Sequence, residues 1–321
     1  MSDPFVFACP VCKGVLEAVS EVERRCPADG RVYLQADGIW RFLLPEREAV
    51  FAQFIQEYET VRRAEGRGSA DSAYYRALPF GDLTGRRPAD WQIRARSFAT
   101  FVQQVLIPLE KELGRPLRIL DLGAGNGWLS YRLAQRSHHL AAVDLAVNPA
   151  DGLGAHVHYD VPFTAVQAEF DSLPFAGEQA DLVIFNASLH YTPDYATTLR
   201  EVIRIVNVAG KVVVVDTPVY YAAASGRQMV QEREANFRRR YGFPSNAIAA
   251  ENYLTYPRLA SLAQALNIHW HLHWPIPSWR WTLRRWRARW RGQREPAQFP
   301  IVVGVRGLGC FGGKIPRGTS E

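Results

Sequence analysis

What is scarce in this chain narrows its class first. Four cysteines among 321 residues are too few for a disulfide-built scaffold. No stretch reaches the roughly 18 consecutive apolar residues that a membrane-spanning helix needs. The best run, 212–224, is cut by Asp216 and Pro218. The opening residues Met1-Ser2-Asp3-Pro4 hold neither a basic cluster nor an apolar run, so no secretory leader is read there and the cytoplasm is the expected compartment. Evenly spread basicity is missing too. The formal charge is +6, yet residues 279–294 contain seven arginines and no acid, which leaves −1 for the rest of the chain. The basicity is one local patch, not a general nucleic-acid-coating surface. A hydrophobic content of 47% with 22% charged residues fits a globular protein with a sizeable core. At roughly 150 residues per domain, the length allows one large α/β domain plus appendages.

Along the chain, residues 1–45 predict a small β-rich leader, with turn residues at Lys13-Gly14 and Asp29-Gly30 and a stop at Pro45. Val11, Leu16, Val32 and Ile39 are its expected core. Residues 46–114 predict a helical cap or linker. Phe51, Phe54, Ile55, Tyr58 and Val61 recur at helical spacing, as do Phe98, Phe101, Val102, Val105 and Leu106. From 115 to 321 the pattern alternates. Apolar strands are expected at 117–122, 140–144, 165–168, 180–185 and 211–216, with helices at 128–135 and 194–206 between them. Continuous apolar strands separated by helices imply a parallel sheet covered on both faces. Two closing strands, 269–274 and 299–306, flank a Trp/Arg-rich insertion at 275–294.

The most specific signal is Asp121-Leu122-Gly123-Ala124-Gly125-Asn126-Gly127-Trp128, placed between a strand and a helix. In open α/β sheets ligands bind beyond the carboxyl ends of the strands, where a glycine turn lets the backbone approach closely. The dinucleotide fingerprint is G-x-G-x-x-G; here the third glycine comes one residue early, and no nicotinamide-side motif is found, which argues against a dehydrogenase. This spelling resembles motif I of class I methyltransferases that use S-adenosylmethionine (SAM). The resemblance extends over roughly 115–220 and is closest to the ubiquinone/menaquinone-biosynthesis type. It implies a Rossmann-like, seven-stranded, mostly parallel sheet with helices on both faces.

The resemblance also implies roles. Asp121, Gly123, Ala124, Gly125, Asn126 and Gly127 form the cofactor turn. Asp144 ends the second strand and clamps the ribose hydroxyls, with Leu145 beside it. Glu169-Phe170-Asp171-Ser172-Leu173-Pro174-Phe175 matches the acid-x-x-x-Leu-Pro-Phe stretch, so Glu169 faces the adenine amine and Phe170 packs on the ring; Asp171 takes that place if the register differs by two. Asn186, in the Asn-Ala-Ser-Leu-His-Tyr loop after the fourth strand, joins the cofactor set. His190 and Tyr191 in the same loop are placed to face the methyl group, either with a chemical role or as pocket wall. The Asn-Pro-Pro-aromatic loop of nucleobase-amine methyltransferases is not matched.

Two appendages complete the reading. Cys9-Pro10-Val11-Cys12 is a knuckle, Cys26 follows, and Asp29 stands where a zinc ribbon would place its fourth cysteine. Carboxylate oxygen binds zinc, so a structural site of Cys9, Cys12, Cys26 and Asp29 is one reading, and a ribbon that has lost its metal is the other. The leader resembles the short ribbon that opens some bacterial methyltransferases, including rRNA guanine enzymes. Further on, Trp279, Leu283, Trp286 and Trp290 fall on one helical stripe among arginines, and six of the nine tryptophans lie between 270 and 290. Such a helix lies in the membrane interface, binds RNA, or packs on the core. The expected activity is methyl transfer to a small-molecule or lipid-linked acceptor, with peripheral contact to the inner face of the membrane through 279–291. The rivals are an RNA (rRNA) methyltransferase and a SAM-fold module kept as a partner-binding subunit.

Overall fold

The computed structural model describes residues 4–275, 283–284, 286–288 and 290–307. The leader supplies β1 (Glu17–Ala18), β2 (Glu23–Arg25), β3 (Val32–Ala36) and β4 (Ile39–Arg41). Then come α1 (Pro45–Ala64), α2 (Ser72–Ala77), α3 (Pro88–Phe101), a π-helical turn at Val102–Leu106 and α4 (Ile107–Leu113). Pro at the start of α1 and α3 suits positions whose N–H groups would be unpaired anyway. Gly114 ends α4 at φ 62°, a left-handed cap that favours glycine.

The alternating region follows as β5 (Arg118–Leu122), α5 (Trp128–Ala134), β6 (His139–Asp144), β7 (Thr164–Gln167), β8 (Ala180–Asn186), α6 (Tyr195–Ile205) and β9 (Val206–Val215). The chain continues through β10 (Val219–Tyr220), α7 (Ala223–Tyr241), β11 (Leu254–Thr255), α8 (Tyr256–Leu266), β12 (Ile268–His273) and β13 (Ile301–Arg306). β7-β6-β5-β8-β9-β13-β12 form the expected seven strands, the first five parallel and β13 antiparallel to both neighbours. β9 begins earlier than the apolar run at 211, because Val206 pairs with Ala180 across a register shift before Leu182.

Strand parity sorts the core. Leu120, Leu122, Val183, Phe185, Val212 and Val214 face α6 and α8 through Leu199, Val202, Leu259 and Leu262. Ile119, Leu182, Ile184, Val213 and Val215 face Phe98, Phe101 and Leu106 on one side helix and Trp128, Leu129 and Leu133 of α5. The helices of 46–114 therefore divide their work. α3, the π-turn and α4 are a core layer, and α1 lies across the carboxyl ends of the strands.

The leader is continuous with this sheet. β4 pairs in parallel with β7, placing Trp40 beside Val166, so the sheet has eleven strands in all. Val11 and Val32 are half exposed, contrary to the small private core expected for them. Phe7, Tyr33, Trp40 and Phe42 are buried instead, in the same cluster as Phe175 and Phe185. A ribbon this short cannot bury enough apolar surface alone, and it borrows the sheet's.

Candidate active site

β5 runs straight into the glycine turn, where Gly123, Gly125 and Gly127 take φ of 77°, 55° and 79°. The Gly123 and Ala124 amides donate to the Val143 carbonyl at 2.8 and 3.1 Å, tying the turn to β6. A Cβ on Gly123 would lie 2.3 Å from Ser188 Cβ, and one on Gly127 would lie 2.6 Å from Phe163 Cζ. Gly125 differs: the nearest atom to its Cβ position is the Asp151 carbonyl oxygen at 3.7 Å.

The Asp144 carboxylate sits at the end of β6, one oxygen accepting from the Gly125 amide and the other from the Ala146 amide, each at 2.8 Å. Burial raises its pKa, and those backbone amides oppose the rise. Around it opens a cleft of about 790 Å³, mouth included. Gly123, Asp144 and Leu145 form its floor, Glu169 and Phe170 one flank, and Ser188 and Tyr191 the other. Helix α1 closes the top with Arg47, Phe51, Phe54, Ile55 and Tyr58, one helical face.

Several residues assigned from the motif stand behind the cleft. Asp121 shares the parity of Ile119 and is fully buried beneath the turn. It accepts from Ser130 Oγ at 2.9 Å, its other oxygen is unpartnered, and burial pushes its pKa up to about 7. Ala124 belongs to a small core cluster. Asn126 is buried and reaches Asp151 Oδ1 at 3.3 Å while accepting from the Trp128 amide. Asn186 is the clearest displacement. As the last residue of β8 it shares the side of Leu182 and Ile184, and it lines a small void with Phe98 and Trp128 instead of the cleft.

His190 and Tyr191 are separated in the same way. Tyr191 lines the cleft, its ring 6.0 Å from Phe54. His190 is buried behind it, 4.3 Å from the Tyr191 ring, with Nδ1 3.3 Å from Thr217 Oγ1. Burial first, then the Arg233 and Arg94 cations, push its pKa down to about 3. A group so poorly basic is ill matched to general-base work near neutral pH.

Arg47 escaped the sequence reading. Its guanidinium grips Glu169 with two nitrogens, Nε to Oε1 at 2.8 Å and Nη2 to Oε2 at 2.7 Å. The carboxylate assigned to an adenine amine therefore has a bidentate partner from α1. Asp171 is engaged as well, accepting from Thr198 Oγ1. The only signal for Arg47 was its place in the first turn of a helix whose apolar face runs on through Phe51.

In the leader, one ligand atom from each of Cys9, Cys12, Cys26 and Asp29 lies within 4.8 Å of the others. Cys12 Sγ is 3.5 Å from Cys26 Sγ, and Cys9 Sγ is 3.5 Å from Asp29 Oδ2. Three sulfurs and a carboxylate at this spacing are a donor set that zinc accepts. This cluster is tied to the Leu-Pro-Phe loop: Ser172 Oγ donates to the Pro10 carbonyl at 2.6 Å, and the Ala8 amide to the Pro174 carbonyl at 3.0 Å.

Of the Trp/Arg stripe, Trp279 lies outside the described residues, as do Arg280, Arg285 and Arg289. Leu283, Trp286 and Trp290 are 45%, 65% and 79% exposed, so these three do not pack on the core. No helix among the described residues is long and apolar enough to cross a membrane.

A parallel sheet feeding a positive-φ glycine turn, with an acid at the end of the neighbouring strand and a cleft above both, defines a Rossmann-like nucleoside-binding α/β protein. Residues 120–214 match the family described as "Methyltransferase domain". These residues, under a third of the chain, are thus similar to a methyltransferase domain. It is 32% identical over 114 residues to a malonyl-[acyl-carrier protein] O-methyltransferase of Hahella chejuensis, covering 35% of this chain and 40% of that one. It is 33% identical over 104 residues to a demethylmenaquinone methyltransferase of Corynebacterium urealyticum, covering 32% and 43%. The chain spans about two fifths of the length of these relatives. Among solved structures, the Burkholderia thailandensis 1,6-didemethyltoxoflavin-N1-methyltransferase aligns over 91% of this chain and 99% of its own, with TM-score 0.46 and 18% identity.

Proposed function

We propose that this chain is an enzyme that transfers a methyl group from SAM to a small-molecule or lipid-linked acceptor. The observation that carries the reading is the Asp144 carboxylate, fixed by the Gly125 and Ala146 amides at the floor of the cleft. Gly123 and Gly125 pass the methionine part, Asp144 holds the ribose, Phe170 covers the adenine, and Glu169 reaches the adenine edge while braced by Arg47. When bound, SAM supplies an electrophilic methyl on a sulfonium. The protein's work is then positioning, which contributes up to about 7–11 kcal/mol. Tyr191 and the α1 aromatics exclude water from the cleft, and His190 stays neutral behind Tyr191, keeping that wall in place. Isothermal titration calorimetry with SAM, followed by tritiated-methyl labelling of a cell extract, tests this. Label is expected in the small-molecule or lipid fraction. Label confined to RNA would establish the RNA rival, and SAM binding without transfer to any fraction the partner-binding one.

Two further assignments belong to the same reading. Cys9, Cys12, Cys26 and Asp29 hold a structural zinc, and elemental analysis of chelator-free protein should return about one zinc per chain. A fully folded preparation without metal overturns that. The exposed Leu283, Trp286 and Trp290 rest on a membrane surface among arginines. Sedimentation with vesicles of phosphatidylglycerol and phosphatidylcholine should be strong at low salt and weaken as salt rises. Absence of binding at low salt refutes it.

A further inference from the structure

Beyond the cofactor cleft lies a second, larger cavity of about 1,600 Å³, mouth included, at the carboxyl ends of β8 and β9. Ala187 lines both, so the two spaces meet there. Their junction is conformationally costly. Ala187 and Asp216, which follow paired strand ends, have φ of 57° and 52°, a region that side-chain-bearing residues rarely occupy. Such geometry clusters where a fold is shaped for a ligand.

The cavity's charge is one-sided. Arg94, Arg96, Arg284 and Arg294 line it, against the two carboxylates of Asp90 and Asp216. Asp90 is already held by Arg67 at 3.2 Å and Arg87 at 3.5 Å, and Asp216 accepts from Ser97 Oγ at 2.6 Å. Arg294 has Glu232 at 3.0 Å. Arg94 is different: its guanidinium lies 5.5 Å over the buried Trp91 ring, and among the described residues it makes no hydrogen bond and no ion pair. Burial depresses its pKa, with Asp216 opposing.

A second guanidinium supports this. Arg233 of α7 has Nε and Nη2 buried without a partner. It sits one helical turn beyond Met229, itself part of the cavity wall. Arg94 and Arg233 approach His190 from α3 and α7, and both bear on its charge. A buried donor left unpaired is costly, more so when it is charged. Arg233's buried pair one turn from Met229, together with the unpartnered guanidinium of Arg94 in the cavity wall, marks where an acceptor oxygen belongs. Met229 and Phe299 give the same cavity an apolar wall.

We infer that this cavity is the acceptor site and takes an amphiphile whose anionic group, a carboxylate or a phosphate, is bound by Arg94 while its apolar body lies along Met229 and Phe299. The inference rests on the methyltransferase reading and narrows its acceptor class. The test uses the full chain saturated with S-adenosylhomocysteine and calorimetric titration with decanoate, decyl phosphate and decanol. At least one anion is expected to bind tenfold or more tightly than decanol, and the stronger of the two names the group. Arg94→Gln should weaken that anion at least tenfold, leaving decanol and S-adenosylhomocysteine unchanged, and Arg94→Lys should recover part of the loss. Equal binding of decanol and the anions overturns the proposal, as does an Arg94→Gln chain that is folded and binds the anion like the parent. Failure of the chain to bind S-adenosylhomocysteine while the anion still binds would refute the methyltransferase reading and leave the charge preference standing. Cofactor binding with no anion binding refutes the proposal alone.

Discussion

The two halves of the strand-end surface are built on opposite plans. The cofactor half, above β5, β6 and β7, is acid-bearing and glycine-turned; its floor and one flank come from residues 123–171, its other flank from residues 187–193, with α1 laid over it. The half above β8 and β9 is arginine-rich and assembled from α3, the β8 and β9 ends, α7, Pro275, Arg284 and the stretch from Arg294 to Phe299. A cofactor shared by many enzymes can be met by a local sequence device. An acceptor particular to one enzyme is met by side chains gathered from distant segments.

If that contrast holds, backbone changes should be most damaging in the cofactor half. Gly123→Val should have the largest effect. Its Cβ would lie 2.3 Å from Ser188 Cβ at a φ of 77°, and overpacking plus left-handed backbone cost about 2–4 kcal/mol together. SAM binding should vanish in calorimetry and the thermal midpoint should fall. Gly125→Ala sharpens the comparison, because its Cβ position is free to 3.7 Å. Its stability should drop by only about 1–2 kcal/mol, the backbone term, while SAM binding is lost. Normal SAM affinity in Gly125→Ala would mean that the turn does not pass the ligand.

Asp144→Ala comes next. Loss of hydrogen bonds to a charged group is worth about 1.5–3 kcal/mol, so SAM should bind roughly 10- to 150-fold more weakly. Unchanged affinity removes Asp144 from the site.

His190 supplies a pH test of the boundary between the halves. Folded, its pKa is pushed down to about 3; unfolded, a histidine titrates near about 6.5. Between those values the unfolded chain binds the extra proton, so this residue's contribution to stability falls as pH falls. Asp121, raised to about 7, acts in the opposite sense. The thermal midpoint of the parent minus that of His190→Gln isolates the histidine, and this difference should decline from pH 6.5 toward pH 4. A flat difference would show that His190 is not enclosed. The smallest effect belongs to Trp286→Ala with Trp290→Ala. At 65% and 79% exposure their removal should change stability by no more than about 0.5 kcal/mol in urea unfolding. A larger loss would return the stripe to the core.

The same contrast explains what could be read in advance. The seven strands, the glycine turn, the place of Asp144 at the end of β6 and the Leu-Pro-Phe loop were legible because each is a local pattern of periodicity or spacing. Asn186 was misplaced because one step along a strand exchanges faces, and a loop motif does not state where strand parity ends. Asp121 belongs to the motif, yet its parity points it under α5. Arg47 and Arg94 carry no local signature. Each is an arginine on a helix, and only tertiary packing selects it from the chain's many others. In the leader, Leu16 and Ile39 are buried as expected, but Val11 and Val32 were misjudged for a related reason: periodicity within 1–45 could not reveal that β4 would find β7.

That last pairing has a consequence at the margin of the sheet. A strand at the margin of a sheet offers unpaired amides and carbonyls to any other chain it meets. β7 would be such a margin, but β4 occupies it through the Ile39–Arg41 pairings, and the Phe42 amide adds a bond to the Gln167 carbonyl at 2.9 Å. The sheet ends instead at β1, two exposed residues long, beside a β2 that carries Glu23, Arg24 and Arg25. Short and charged, this margin gives a neighbouring molecule little to extend. Cutting the leader away would bare β7 along with Val166 and Phe175, and the truncated protein would be expected to self-associate before any effect on the cofactor cleft could be measured.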